Sequence, residues 1–152
     1  MAKLVIALSL ALIGIFIIDQ NIKSLFIEGY RYYGDCIDLI LVYNKGVAFS
    51  MLSFLAEWLK WIQLVIISGI LGYVIYLRKA CYAIPSGILI GAGLSNIYDR
   101  FIHGGVVDMV YWHCGFDFAI FNFADVMIDV AVVWLLWLTI RNNLCKIEHK
   151  YK

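Results

Sequence analysis

The chain has 152 residues, of which 64% are hydrophobic and only 15% are charged. A soluble domain is typically about half apolar and about a quarter charged, so this chain lacks the polar residues needed to cover its surface in water. We therefore expect an integral membrane protein with a single domain over residues 1–152. A net charge of +1 gives no basic surface of the kind that indicates a nucleic-acid partner.

Four apolar segments are long enough to be transmembrane helices. The first begins near Leu4 and has no charged residue until Asp19. That run is too short for a bilayer, so the helix must continue through Lys23 to about residue 26. No small-residue cleavage site follows it, which favours a retained anchor over a cleaved signal peptide. The expected spans are about residues 4–26, 54–77, 80–98 and 118–140.

Charges and glycines indicate how these spans are arranged. Gly87 and Gly91 in the third span form a G-x-x-x-G pattern, which lets a neighbouring helix approach closely. Lys and Arg are in modest excess on the side of the two chain ends, where Arg78, Lys79 and Arg141 lie at the tips of spans. Such residues favour the cytoplasmic side, so we expect a multi-pass protein with both termini in the cytoplasm.

Two connections on the opposite side contain sequence typical of β-strands. Residues 37–43 are rich in β-branched and large apolar side chains, and a turn-like Asn-Lys-Gly follows them. Gly104 and Gly105 introduce a second such segment, Val106–Trp112. The sequence predicts a small outer sheet from about residues 37–50 and 105–114. The expected fold class is a membrane all-α bundle of four transmembrane helices with a small extracytoplasmic β-cradle.

The four cysteines and three histidines lack the spacing of metal ligands, so we expect neither a metal site nor another cofactor. Cys36 and Cys114 would both lie on the outer side. A disulfide between them is therefore an open alternative to two small apolar side chains.

Carboxylates near or within the membrane are the clearest functional signal, because a charge placed there is costly. Asp125 would lie about two turns into the fourth span, on one helix face with Asn122 at i−3 and Asp129 at i+4. Asp108 lies in an apolar strand, an environment that raises the pKa of a carboxyl group. Two carboxyls that share one proton supply the base and the acid that peptide hydrolysis by an activated water requires.

Four segments resemble the lipoprotein signal peptidase (signal peptidase II) family over nearly the whole chain. They are DQNIK at 19–23, NKGVAFS at 44–50, NIYDR at 96–100 together with GVVD at 105–108, and FNFAD at 121–125. The resemblance implies an aspartic endopeptidase that removes signal peptides from diacylglyceryl-modified prolipoproteins, cutting just before the lipidated cysteine. Carried onto the matching positions, its catalytic aspartates are Asp108 and Asp125.

The resemblance also implies further roles and a location. Its motif residues that line or brace the substrate site are Asn44, Gly46, Asn96, Arg100 and Asn122. It implies the bacterial cytoplasmic (inner) membrane as the location, and lipid-modified prolipoprotein signal peptides and membrane lipids as partners, with no metal. Three positions depart from the usual pattern. Ile22 stands where a small hydroxyl residue is common, Ser95 stands where glycine is frequent, and Asp129 is an unusual carboxylate one turn below Asp125.

Several acidic residues keep more than one interpretation. Asp99 is the alternative second catalytic carboxyl, although an ion pair with the adjacent Arg100 also explains it. Asp19 and Lys23 form an i,i+4 pair that we interpret as structural support, carrying charge to the membrane interface. Asp129 either holds a second proton or faces a polar bundle interior, and we favour the second.

A different function class also remains open. Aspartates inside spans mark proton relays, so the alternative is a small proton-coupled transporter or channel subunit. The spans show no repeat symmetry of the kind common in transporters, and a relay needs no outer strands. Serine-peptidase chemistry is less favoured, since no Ser lies in a G-x-S-x-G motif and no His falls within a span.

Overall fold

The structure is a computed structural model that describes residues 1–46 and 56–141. In these ranges the elements are α1 (Ala2–Ile27), β1 (Tyr32–Tyr33), β2 (Ile37–Asn44), α2 (Ala56–Leu77), α3 (Ala83–Ile102), β3 (Val106–Trp112) and α4 (Phe123–Ile140). A 3-10 turn at Ala80–Tyr82 leads directly into α3. Within the described ranges, four helices are long and apolar enough to cross a membrane. The expected four-helix membrane bundle is confirmed. Residues 54 and 55 of the expected second span lie outside the described residues.

Helix α3 is the centre of the bundle, and the other three helices pack around it. Of its span, 67% is buried inside the protein, against 17% for α1 and α4 and 11% for α2. The outer helices direct large apolar side chains such as Val65 and Ile140 away from the protein. Helices that are apolar on nearly every side are stable where lipid covers the outward faces. The polar residues of α3 must therefore find their partners inside the bundle.

The two glycines of the G-x-x-x-G pattern bring α3 against α1. A Cβ atom at Gly91 would meet the carbonyl oxygen and the Cα of Leu12, and one at Gly87 would meet the carbonyl oxygen of Leu8. Because these neighbours are backbone atoms, no side chain could be accommodated without moving the helix. The predicted close approach is confirmed, and it carries the polar end of α1 to the polar end of α3.

The three strands form one antiparallel sheet in the order β1-β2-β3. β2 pairs with β3 from Ile37 opposite Trp112 to Asn44 opposite Val106, with a register shift between Leu39 and Val42. The predicted small sheet is confirmed, although its strands are shorter than the expected segments and residues 47–50 lie outside the described residues. β1 was not predicted, because two residues are too short to show a period.

Covalent and apolar contacts hold the sheet in place. Phe26 at the end of α1 forms a buried apolar cluster with Val107 and Met109 of β3. A disulfide joins Cys36, next to β2, with Cys114, just after β3, so the pairing left open by the sequence is present. These contacts fix β3, and therefore the backbone of the residue between Val107 and Met109, against the helix bundle.

Helix α4 begins later than expected, at Phe123 rather than near residue 118. Asn122 is its N-cap: the Oδ1 atom of Asn122 accepts from the amide of Asp125 at 2.9 Å, and the Asp125 carboxylate accepts from the amide of Asn122 at 3.1 Å. Phe121 instead bridges to Val110 of β3. This capping box places Asp125 in the first helical turn, so the expectation that it lies two turns inside the span is wrong.

Candidate active site

Asp108 and Asp125 line one cavity of about 540 Å³ between the sheet and the outer ends of α2, α3 and α4. The sheet supplies Asp108, and the first turn of α4 supplies Asp125. Gly46 and the polar residues Asn44, Gln63, Asn96, Arg100 and Asp129 share this lining. The structure thus gathers in one cavity the two predicted catalytic residues and four of the five predicted substrate-site residues. The fifth, Asn122, is completely buried behind the aspartates.

Asn122 joins the two carboxyl groups. Its side-chain Nδ2 donates to Oδ1 of Asp108 at 2.8 Å, while its backbone amide donates to Oδ2 of Asp125 at 3.1 Å. Because the same residue is the N-cap of α4, the geometry that starts the helix also sets the position of both carboxyls. Two carboxyls that flank one asparagine can hold different protonation states.

The environment of Asp108 favours a proton on its carboxyl group. Asp108 is 2% exposed. Burial, with a smaller contribution from the nearby charge of Asp125, raises its pKa from 3.8 to about 6, although hydrogen bonds from Asn44 and Asn122 oppose this rise. The Nδ2 atom of Asn44 donates to Oδ2 of Asp108 at 2.9 Å. Asp108 can therefore change its protonation state near neutral pH.

Asn96 holds Asp125 from the side of α3. Its Nδ2 donates to Oδ1 of Asp125 at 2.9 Å. Its own oxygen accepts from Nζ of Lys23 at 2.8 Å and from Nδ2 of Asn122 at 3.1 Å. With both donors on one side, the amide of Asn96 has a single satisfactory orientation, which directs its NH₂ group to the carboxylate.

A buried ion cluster lies behind Asn96. Nζ of Lys23 is 2.6 Å from Oδ2 of Asp19 and 2.7 Å from Oδ2 of Asp99, and the exposed fraction of all three side chains is at most 1%. The expected pairing of Asp99 with Arg100 is wrong, since consecutive helical residues point in different directions and Asp99 faces α1. The i,i+4 pair of Asp19 and Lys23 is confirmed, and both side chains are buried inside the bundle.

The ion cluster connects four elements, namely α1, α3, α4 and β3. Oδ1 of Asp19 accepts from the amide of Ala124 in α4 at 2.9 Å, and its Oδ2 accepts from the hydroxyl of Ser95 at 2.6 Å. Oδ2 of Asp99 accepts from the amide of Val107 in β3 at 3.1 Å. Asp99 therefore binds backbone of the strand that carries Asp108, and its carboxyl is not in the lining of the cavity.

Arg100 forms the wall of the cavity next to the sheet. Its Nη2 donates to the carbonyl oxygen of Gly46 at 2.5 Å, and its Nη1 to that of Lys45 at 3.4 Å. The amide of Gly46 in turn donates to Oδ1 of Asn44 at 3.0 Å. The turn after β2 is thereby held so that Asn44 reaches Asp108.

Two further polar residues extend the cavity lining away from the sheet. Asp129 lies one turn further along α4 than Asp125 and is exposed. It faces the cavity, so the interpretation that it faces a polar bundle interior is wrong. Gln63 comes from α2 and carried no prediction from the sequence. Its signal was a side-chain amide in an otherwise apolar stretch of helix.

Within the described part of the chain, no group of three or more His, Cys, Asp or Glu residues could hold a metal ion. The chemistry that the site itself offers is acid–base chemistry. Two carboxyls that line one cavity, one buried and one half-buried, are each held by amide donors and can accept a proton from a water molecule and donate one to a leaving group.

A family model described as signal peptidase (SPase) II matches residues 11–141. The chain is 73% identical over 139 residues to a lipoprotein signal peptidase of Sulfurimonas denitrificans, covering 91% of each chain. It is 63% identical over 130 residues to one from a Sulfurovum species, with 84% of this chain and 88% of that one covered. A Helicobacter pylori relative of the same name is 56% identical over 124 residues, covering 80% and 79%.

Two solved structures share the fold. Both are bacterial membrane enzymes determined by the in meso method, and both are 22% identical to this chain. The first has a TM-score of 0.77 and covers 94% of this chain and 91% of its own. The second has a TM-score of 0.73, with 86% and 90% covered. At this identity the likeness shows the fold alone, namely four membrane helices with a small sheet.

Proposed function

The chain belongs to the signal peptidase II family, and on that premise we propose that Asp108 and Asp125 are the aspartate pair with which it cuts prolipoproteins. It is a membrane aspartic endopeptidase that removes the signal peptide just before the diacylglyceryl-modified cysteine. The observation that carries the residue assignment is the position of the two carboxyls. They lie in one cavity, on either side of Asn122, which donates a hydrogen bond to each.

The reaction uses one ionised and one protonated carboxyl. The ionised aspartate takes a proton from a water molecule. At the same time the oxygen of that water attacks the carbonyl carbon of the peptide bond before the lipidated cysteine. The protonated aspartate donates a hydrogen bond to the developing oxyanion. A proton then moves to the amine of the cysteine, and the carbon–nitrogen bond breaks. The amide donors on both carboxyls keep them in place through this exchange.

The surrounding residues position this pair and the substrate. The side chain of Asn96 donates to Asp125, and that of Asn122 donates to Asp108. Asn44 donates to Asp108 from the sheet. Arg100 and Gly46 shape the wall of the cavity where the peptide enters. Asp19, Lys23 and Asp99 act as structural support, because their cluster joins α1 and α3 to the backbone of α4 and β3.

The protein works in the bacterial cytoplasmic membrane with both termini in the cytoplasm. Arg78, Lys79 and Arg141 lie at the helix ends opposite the sheet, as the bias of basic residues toward the cytoplasm requires. In this orientation the cavity meets the lipidated cysteine at the outer surface, and membrane lipids surround the helices.

The proposal is tested with Asp108→Asn and Asp125→Asn, assayed on a synthetic diacylglyceryl-modified precursor peptide in detergent. Each change retains size but prevents the carboxyl from exchanging a proton, so cleavage should fall by at least about 100-fold. Asp117→Asn is the matched control, because Asp117 accepts from the hydroxyl of Tyr111 in an exposed position outside the cavity lining. Near wild-type cleavage by Asp108→Asn, with a folded but inactive Asp99→Asn, would move the second catalytic role to Asp99.

A further inference from the structure

Gln63 is the residue that α2 contributes to the lining of the catalytic cavity. Its side-chain Oε1 is buried and has no hydrogen-bond partner among residues 1–46 and 56–141. The adjacent residues along the helix, Ile62 and Leu64, are apolar, as expected for a membrane span. The cavity therefore contains a carboxamide oxygen that no described residue hydrogen-bonds.

The other side-chain amides around the aspartates are all engaged through their oxygens. Oδ1 of Asn44 accepts from the amide of Gly46, that of Asn96 from Lys23, and that of Asn122 from the amide of Asp125. Gln63 differs from these three because its oxygen accepts no hydrogen bond from the part of the protein that the structure describes. A buried polar atom without a partner destabilises a fold, so such an atom in a ligand cavity indicates a partner supplied by the ligand.

The cleaved peptide presents groups that fit a carboxamide. A helical signal peptide must unwind near the cut bond before the aspartates can reach its carbonyl group. Its main-chain N–H and C=O groups then lose their helical partners in a site with little water, where each needs a new one. A primary carboxamide offers both an acceptor and donors, which match one peptide unit whatever its side chain.

We propose that Gln63 is a substrate-positioning residue that hydrogen-bonds the main chain of the precursor beside the cleaved bond. The inference rests on the proposed function of Asp108 and Asp125, since it assigns a peptide to their cavity. It extends the substrate site to α2, an element that supplies none of the residues that hold the carboxyls. Recognition of main chain also suits an enzyme whose substrates differ in side chains.

The first experiment compares the wild-type protein with Gln63→Leu, which keeps the approximate size but removes the hydrogen bond. We expect kcat/KM for the lipidated precursor peptide to fall about tenfold, mostly through a higher KM. The unfolding temperature without substrate should be unchanged or higher, because an unpartnered polar atom is lost. Ser68→Ala, a polar-to-apolar change on the exposed face of α2 outside the cavity lining, should alter neither quantity.

The second experiment replaces each main-chain amide near the cut bond of the peptide, in turn, by an ester that lacks the N–H donor. If Oε1 of Gln63 accepts a hydrogen bond from one of these N–H groups, the peptide with an ester at that position should have a kcat/KM about tenfold lower with the wild-type protein. With Gln63→Leu the same ester should leave kcat/KM almost unchanged. Independent losses at every position would overturn the proposal. So would a lower unfolding temperature of Gln63→Leu with unchanged KM, which would assign a structural role.

Failure of this inference is distinguishable from failure of the catalytic assignment. If Gln63→Leu cuts like the wild type while Asp108→Asn is inactive, only the role of Gln63 is wrong. If Asp108→Asn and Asp125→Asn both retain activity, the cavity is not the site of cleavage and both proposals fail.

Discussion

Removal of the Asn44 amide should shift the pH dependence of cleavage. Its Nδ2 donates to Oδ2 of Asp108 at 2.9 Å, and Asp108 is 2% exposed. A hydrogen bond to a charged group is worth about 1.5–3 kcal/mol, and each pKa unit corresponds to about 1.36 kcal/mol. Loss of the donor in Asn44→Ala therefore destabilises the ionised form and should raise the pKa of Asp108 by about one to two units.

The sign follows from which form the hydrogen bond stabilises. The Asn44 amide favours the carboxylate, so removing it extends the protonated form to higher pH. The assay is kcat/KM for the lipidated peptide against pH, in which the limb that reports Asp108 should lie near pH 6 in the wild type. In Asn44→Ala that limb should move to about pH 7–8, by the same shift of one to two units.

A matched variant separates this effect from a general one. Asn21→Ala removes an exposed asparagine whose Nδ2 donates to the carbonyl oxygen of Ile17 on α1 and which is not in the lining of the cavity. For Asn21→Ala, the limb of the pH profile of kcat/KM should lie near that of the wild type. The two aspartates titrate as a coupled pair, so the difference between variants is the quantity to compare. An unmoved limb in Asn44→Ala, or one moved to lower pH, would refute the reasoning.

Three further outcomes follow from the fold. Lys23→Met leaves two buried carboxylates without their cation and should destabilise the protein by about 3–5 kcal/mol, seen as a lower unfolding temperature in detergent. Gly91→Ala places a Cβ against the backbone of α1 and should cost about 1–3 kcal/mol, whereas Gly14→Ala, with open space around it, should not destabilise the protein. Reporter fusions after Lys79 should be cytoplasmic and those near Asp35 outside; a cytoplasmic reporter near Asp35 would reverse the orientation.

Much of the fold could be predicted because the bilayer imposes simple local rules. A long apolar run must become a helix in lipid, since the backbone has no other way to satisfy its hydrogen bonds. The β-branched segments outside the spans likewise predicted the strands. The boundaries were less accurate: α4 begins at Phe123 because Asn122 caps it, and the apolar residues before the cap extend the hydropathy signal without joining the helix.

The candidate site also has a part that the sequence predicted and a part that it did not. Asp108 and Asp125 were recognised from carboxyls in apolar surroundings and from their motifs, both of which are local properties. The partner of Asp99 was predicted wrongly, because the adjacent Arg100 was the nearest cation in the sequence. Its actual partner is Lys23, on another helix. No local pattern indicates which of two cations a buried carboxylate meets.

Hydropathy and motifs were enough to predict a four-helix membrane protein with an outer sheet, and they identified the carboxyls that carry the proposed chemistry. How those carboxyls are held could not be predicted, because it depends on contacts between helices. Asn96 and Lys23, 73 residues apart, meet because Gly91 lets α1 approach α3. The position of Gln63 in the cavity lining likewise depends on how α2 packs against the other elements. Hydropathy and motifs depend on neighbours along the chain, whereas hydrogen bonds in a buried site depend on which helix faces which.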